Sequence, residues 1–305
     1  MAAIEVQDLT KNYGSLRAVD GISFSVQKGE VFSLLGPNGA GKTTTIEILE
    51  GLRQKDRGTT KVLDLDPWAK GYELHKKIGV IPQGFKFLDY PTPREAIEYY
   101  GALFDKKVDP DELLRRVILE DAAKTWFQHL SGGQKQKLGM ALSLVNDPEV
   151  VFLDEPTTGL DPQARRAVWE VIRKLKQEGR TVMLTTHYLE EAEELADMVA
   201  IMNHGKIVAM GSTDEIEERY GSGQKMIVKA DEGLLTYLRE NTKLHIEGDG
   251  ESIIVRLRDK DDAMVALGAI EESGVEWRDL NVKRDSLEDV FLKLVGEHGS
   301  MEGES

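Results

Sequence analysis

The run GPNGAGKT, residues 36–43, carries residue types that could do chemistry on phosphate, spaced G-x-x-x-x-G-K-[ST]. Gly36, Gly39 and Gly41 let backbone N–H groups turn inward around an anion, and a helix opening at the end of the run would add its dipole. Lys42 would reach the terminal phosphates, the Thr43 hydroxyl would hold Mg²⁺ and Thr44 would meet the α-phosphate side, with Asn38 and Ala40 completing the loop. A plain glycine-rich turn could share these letters. Here, however, the run follows the apolar strand EVFSLLG and opens the helix AGKTTTIEILEGL, as a phosphate cradle must. A nucleoside triphosphate site is predicted.

VVFLDEP, residues 150–156, buries four apolar residues and then presents Asp154 and Glu155 at a strand end. An acidic pair there could merely cap a turn. Beside a phosphate loop, Asp154 is placed to bind Mg²⁺ directly or through water, and Glu155 to polarise an attacking water. His187 ends the strand TVMLTTH, and ligands of parallel sheets gather at the carboxyl ends of strands. It could therefore contact a γ-phosphate, whereas His75, His129, His204, His245 and His298 read as ordinary structural residues. Gln83 ends GVIPQ and could reach Mg²⁺ or the water. Tyr13 follows the first strand and could stack on a base.

Positioning these groups at one edge requires a layered fold. Over residues 1–220, short apolar strands alternate with helical patterns, and about 84–146 reads as mostly helical. That order predicts an α/β domain whose mostly parallel sheet is covered on both faces. After the Gly/Ser-bearing stretch ERYGSGQK (218–225), residues 225–297 read strand–helix–strand–strand–helix–strand–helix. A small ferredoxin-like α+β domain follows. Residues 298–305 read as a frayed tail.

One run fits none of the obvious chemistries. HLSGGQKQKL, residues 129–138, offers no nucleophile, metal ligand or titrating base at its glycines. Ser131 can cap a helix beginning near Gly132, and Gly132 and Gly133 would let its outward N–H donors approach an anion, with Gln134 beside them. A flexible linker is the bland alternative. Because residues 36–44 already wrap one nucleotide, a second cradle makes sense if it closes on the γ-phosphate held by another subunit. Two chains head to tail would then enclose two ATP molecules.

In this order and spacing, GPNGAGKT, Gln83, LSGGQ, VVFLDEP, GLD (159–161) and His187 resemble the ATP-binding-cassette ATPases over about residues 1–220. The resemblance implies a P-loop NTPase cassette that hydrolyses ATP with Mg²⁺. It implies Glu155 as catalytic base, His187 as γ-phosphate switch, Tyr13 as adenine stack and Asp161 as a dimer-interface residue. It further implies that Gln83 couples the site, through the helical segment at about 84–130, to a permease on a separate chain. LLGPNGAGKTTTIEILEGL and the terminal SLEDVFLKLVG look like separate ATPase subunits of ABC-2 exporters. Asp285 departs from a usual proline in that pattern, and Asp64 from a common glycine. The partner in the dimer would be a second copy or a homologous ATPase subunit.

Composition narrows the rival functions. A formal charge of −15 argues against a broad nucleic-acid-binding surface and against a polybasic membrane patch. The absence of cysteine excludes disulfides, zinc–thiolate sites and thiol catalysis, and fits a reducing compartment. No signal peptide is expected at MAAIEVQDLTKNYG. Runs such as VVFL and MVAIM fall far short of the ~18 apolar residues that span a bilayer. If the protein works at a membrane, another chain must supply the spans, and the resemblance implies that this one sits peripherally on the cytoplasmic side. A soluble cassette acting on ribosomes or nucleic acid would generally carry two cassettes or a long coiled coil. Only about 90 residues separate Lys42 from Ser131, without a heptad insertion. A regulatory module without hydrolysis would have no need of Glu155 and His187.

Overall fold

The computed structural model describes residues 1–221, 223–248 and 252–297, so the expected frayed tail lies outside the described residues. In chain order the strands and α-helices are β1 (Ala2–Tyr13), β2 (Leu16–Gln27), β3 (Val31–Leu35), α1 (Lys42–Leu49), β4 (Arg57–Val62), α2 (Gly71–His75), β5 (Ile78–Ile81), α3 (Pro93–Leu103), α4 (Pro110–Arg116), α5 (Gly132–Ser143), β6 (Val150–Asp154), α6 (Pro162–Gln177), β7 (Thr181–Thr186), α7 (Leu189–Leu195), β8 (Met198–Asn203) and β9 (Lys206–Gly211). These make up a first compact unit, Met1–Ser212. A second unit holds α8 (Thr213–Tyr220), β10 (Gln224–Ala230), α9 (Glu232–Asn241), β11 (His245–Gly248), β12 (Ser252–Leu257), α10 (Lys260–Ser273), β13 (Trp277–Arg284) and α11 (Leu287–Glu297).

The first unit departs from simple strand–helix alternation at its start. β1 and β2 form an antiparallel hairpin closed by Gly14 and Ser15, with Gly14 at φ +60°. β4 pairs with the other edge of β1, giving a three-stranded sheet β2-β1-β4. Alternate residues such as Ile4, Val6, Ile22, Phe24 and Val26 are buried, the period-two pattern of a sheet with one covered face.

The six-stranded sheet runs β5-β6-β7-β3-β8-β9 and is parallel except for the β8–β9 hairpin. β3, β6 and β7 are buried at every residue, which explains their uninterrupted apolar letters. On one face Phe32, Leu34, Phe152 and Met183 pack with Ile46 and Leu49 of α1 and with Ile4, Leu9 and Phe24 of the antiparallel sheet. Phe24 stacks on Phe32 at 5.0 Å. On the other face Val31, Leu153, Val182 and Leu184 meet Ile97, Leu114, Leu138, Trp169 and Ile172 from α3, α4, α5 and α6. Parallel register sets Leu35 beside Thr186, Asp154 beside Thr185 and Ile81 beside Leu153, so four strands end level.

The expected helical stretch resolves into α3, α4 and α5, joined by loops and two short 3₁₀ turns. α3 opens on a reciprocal cap between Thr92 and Glu95, with Pro93 at its first position. Leu63 and Asp64 both occupy left-handed backbone, at φ +51° and +63°, which gives the usual glycine at position 64 a conformational reason.

In the second unit β10, α9, β11, β12, α10 and β13 form a ferredoxin-like arrangement with sheet order β11-β12-β10-β13, every neighbouring pair antiparallel. Met226, Val228, Leu234, Leu238, Val255 and Ile270 form its core. The boundary differs from that expected at residue 220. Leu287 N–H donates to Glu217 Oε1 at 2.9 Å, which ties α8 to the start of α11. The unit therefore begins at Thr213, and the Gly/Ser-bearing stretch lies within it, between α8 and β10.

Asp285, where the exporter pattern usually has proline, is buried and accepts from Arg256 Nη1 at 2.7 Å. Asp285→Ala should cost about 1–2 kcal/mol, because the carboxylate that answers the half-buried guanidinium is lost. Calorimetry of the full chain should show a lower unfolding temperature, and an unchanged one would exclude a structural role for the pair.

Candidate active site

Residues 36–41 connect the fully buried β3 to α1 and turn the backbone through left-handed Gly39 and Gly41, at φ +81° and +102°. A Cβ on Gly36 would lie 2.2 Å from the carbonyl of Met202, and one on Gly41 2.2 Å from that of Ala18. Only glycine lets the loop sit this close to its neighbours. Asn38 and Gly39 face solvent, Ala40 is buried, and Thr43 and Thr44 are half-buried in the first turn of α1. Lys42 is buried, and its Nζ donates to Gly36 O at 2.8 Å and Pro37 O at 3.1 Å. Burial pushes its ammonium below the ordinary lysine value, partly opposed by Glu155 Oε1 at 3.5 Å.

Asp154 and Glu155 are buried at the end of β6. Asp154 Oδ1 accepts from the hydroxyls of Thr185 and Thr43, the latter at 3.3 Å. Burial raises its carboxyl above the ordinary range, against those hydrogen bonds and the Lys42 charge. Among the described residues no three His, Cys, Asp or Glu side chains gather to hold a metal on their own. A hydroxyl and a carboxylate beside a glycine-rich loop nevertheless fit Mg²⁺, which takes few protein oxygens and completes its shell with phosphate and water.

Glu155 sits at φ +48°, a costly conformation for a residue with a side chain, and its N–H donates to Thr185 Oγ1 at 3.0 Å. Its Oε2 accepts from Gln83 Nε2 and from Thr158 Oγ1, each at 3.0 Å. His187 Nδ1 lies 3.4 Å from the same oxygen without forming a hydrogen bond. Lys42, Thr43, Gln83, Asp154, Glu155 and His187 thus meet at the carboxyl ends of β3, β5, β6 and β7.

Tyr13 ends β1, exposed, with the Arg53 guanidinium 5.3 Å and the Lys11 ammonium 5.6 Å from its ring centre. Asp56 fixes this strand end by accepting from the Asn12 backbone at 2.7 Å and from Lys11 at 2.9 Å, contacts that lower its carboxyl to about 2.

Ser131, Gly132, Gly133, Gln134 and Asp161 are not part of that cluster. Ser131 Oγ accepts from Gln134 N–H at 3.3 Å, and Gln134 Oε1 accepts from Ser131 N–H at 2.9 Å. Asp161 caps α6 through Ala164 N–H at 2.8 Å. A Cβ on Gly133 would lie 2.8 Å from that of Ala164, so close packing of α5 on α6 demands the glycine apart from any ligand. Ser131, Gly133, Gln134 and Asp161 line a separate open cavity of about 260 Å³ with Lys137 and Gln163.

Residues 19–158 match the ABC transporter family, and residues 211–295 match the C-terminal domain of DrrA1-3-like ATP-binding proteins. The daunorubicin resistance ATP-binding protein DrrA3 of Streptomyces coeruleorubidus is 36% identical over 304 residues, spanning 97% of this chain and 96% of the relative. The chain belongs to the ABC transporter family. A Nod factor export ATP-binding protein I, from Mesorhizobium japonicum, is 39% identical over 301 residues, spanning 96% of this chain and 87% of its own. A solved ATP-binding subunit of an ABC transporter aligns with TM-score 0.64 at 28% identity, over 72% of this chain and 93% of its own. The ADP conformation of an ATP-binding cassette aligns with TM-score 0.61 at 26% identity, over 70% and 92%. The chain is an ATP-binding subunit of the exporter type, an ATPase whose hydrolysis drives transport. The ribosomal, nucleic-acid and purely regulatory alternatives give way to that role.

Several partners in this ABC ATPase site escape inspection of the sequence. Thr185, Thr158 and Asp56 lack any motif, although the parallel β6–β7 register would have put a residue of TTH beside Asp154. Glu50 is another. It caps the end of α1 and lines a cavity of about 410 Å³ with Phe85, Lys86, Tyr100 and Phe104. Burial, then the Asp154 and Glu47 charges, push its carboxyl up to about 8. The folded chain therefore binds this proton more tightly than the unfolded chain. The resulting stability is full below about pH 4.5, erodes above it and is gone once the pH passes about 8. Glu50→Gln should leave the unfolding temperature nearly unchanged at pH 4.5 and raise it by a few degrees at pH 8. Thermal scans at the two pH values check this, and equal shifts would contradict it.

Proposed function

We propose that this ATPase subunit works as one half of a head-to-tail dimer that encloses two Mg-ATP and drives a permease on a separate chain. The partner is a second copy or a homologous subunit, and the pair sits on the cytoplasmic face of the membrane. The reading is carried by one observation: the cavity beside the Ser131-capped helix, lined by Gly133, Gln134, Lys137, Asp161 and Gln163, includes no residue of the 36–44 loop. Each half-site needs a partner surface. Among the described residues no helix is long and apolar enough to cross a membrane, which fits a permease on another chain. The groove lined by Phe85, Tyr100 and Phe104, next to the Gln83 loop, is the surface on which that permease would act.

In this reading the loop N–H groups and Lys42 bind the β- and γ-phosphates, and Tyr13 stacks on adenine. Thr43 and Asp154, with Gln83 nearby, would hold Mg²⁺, which neutralises charge on the phosphate oxygens. Glu155 accepts the proton of the attacking water, and His187 orients the γ-phosphate. Ser131, Gly132, Gly133 and Gln134 of the opposing subunit offer N–H donors and a helix dipole to the same phosphate, with Asp161 at the junction.

Glu155→Gln should lower turnover at least ~100-fold while Mg-ATP converts the protein to a dimer on size exclusion. Ser131→Arg should abolish turnover but leave ATP binding by the monomer within about threefold. A Glu155→Gln protein that stays monomeric with Mg-ATP, or a Ser131→Arg protein with full turnover, refutes the shared-site reading.

A further inference from the structure

Glu191, on α7 just past His187, is completely buried, and nothing in the site as described uses it. Its Oε1 accepts from Thr157 Oγ1 at 2.9 Å and from Trp169 Nε1 at 3.1 Å. Thr157 follows Glu155 by two residues, and Trp169 lies on α6, the helix that Asp161 caps. Glu191 Oε2 has no hydrogen-bond partner among the described residues, and neither does the buried Nδ1 of His187. The Thr186 hydroxyl and the His187 ring both lie close enough to favour the carboxylate, although burial outweighs them and raises its pKa. Thr186 Oγ1 also accepts from Tyr188 N–H at 2.9 Å, closing the turn that carries His187.

A leucine would fill this space without the desolvation penalty of a carboxyl. The penalty is instead met by donors from two other segments, which the carboxyl thereby joins. We propose that Glu191 is a positioning residue for hydrolysis, its carboxyl tying the turn that bears His187 to the turn after Glu155 and to α6. The turns that bear Glu155 and His187 then meet the γ-phosphate in one arrangement, braced against α6. Glu191 touches no substrate, and its role rests on the roles proposed for Glu155 and His187. A displacement of about 1 Å at such a centre is enough to slow chemistry ~100-fold.

The test compares steady-state ATPase activity, thermal unfolding and imidazole ¹⁵N spectra of full-length variants. Glu191→Ala should lower kcat about 10- to 100-fold with KM for ATP within about threefold. Glu191→Gln keeps an acceptor for Thr157 and Trp169 and should stay within about threefold of the parent kcat. Leu195→Ala opens a cavity in the same helix. It should lower the unfolding temperature at least as much as Glu191→Ala, yet leave kcat within about twofold. The His187 resonances, assigned through His187→Ala, should move in Glu191→Ala and hold in Leu195→Ala. The proposal is overturned if Glu191→Ala and Leu195→Ala lower kcat alike, or if Glu191→Ala leaves both kcat and the His187 resonances unchanged. Full turnover in His187→Ala would overturn the reading of His187 and this proposal with it. Loss in His187→Ala without loss in Glu191→Ala overturns this proposal alone.

Discussion

A lysine ammonium almost sealed from water sets the terms for the carboxyl end of the sheet. Lys42 cannot be stable there without acceptors, and the loop carbonyls of Gly36 and Pro37 supply them. The loop can bring those carbonyls close only because Gly36 and Gly41 lack Cβ atoms that would strike Met202 and Ala18. The same burial strengthens the attraction between Lys42 and Glu155 and raises the cost of ionising Asp154. One buried cation thus links glycine placement, loop shape and the two carboxyl groups beside it. In the proposed role, an incoming polyphosphate would meet a charge whose hydration has already been stripped away.

What could be read from the letters alone follows the range of the interactions involved. GPNGAGKT and VVFLDEP are local: strand, turn and helix lie within a few residues, so their chemistry shows in the text. The apolar runs of β3, β6 and β7 signal full burial for the same reason. The ferredoxin-like order of the second unit could be read because each element carries its own period. Partners brought in by the sheet register could not. Thr185 reaches Asp154 from 31 residues away, and Gln83 reaches Glu155 from 72. The hairpin of β1 and β2 was hidden for a different cause. Its polar alternation is that of a sheet with one covered face, unlike the solid apolar runs elsewhere in the unit. The placement of α8 depends on Leu287 and Glu217, which no short window contains together.

The glycines after Ser131 show how one short run can answer two demands. Read for chemistry, Gly132 and Gly133 clear the approach of an anion to the helix N-terminus. In the fold, Gly133 is also the contact that lets α5 close on Ala164 of α6. The capping box fixes the same turn from within, since Ser131 and Gln134 satisfy each other. A substitution at Gly133 would therefore disturb the α5–α6 packing as well as the exposed donors, whereas one at Ser131 acts on the helix start alone. That asymmetry is why Ser131 probes the half-site more cleanly than its neighbours do.

The two oxygens of Glu155 have unequal surroundings, and the inequality suits a proton acceptor. Oε2 is held by the neutral donors Gln83 and Thr158 and flanked by His187. Oε1 has the Lys42 ammonium at 3.5 Å, too long for a strong hydrogen bond. The strained φ of +48° sets the direction of the whole side chain, so its aim does not depend on a flexible rotamer alone. If Lys42 turns to a phosphate, Oε1 loses its neighbouring cation, while Oε2 stays tethered. In the proposed mechanism, nucleotide binding would then do more than fill the site: by drawing the cation away, it would leave Oε1 clear to accept the proton of the attacking water.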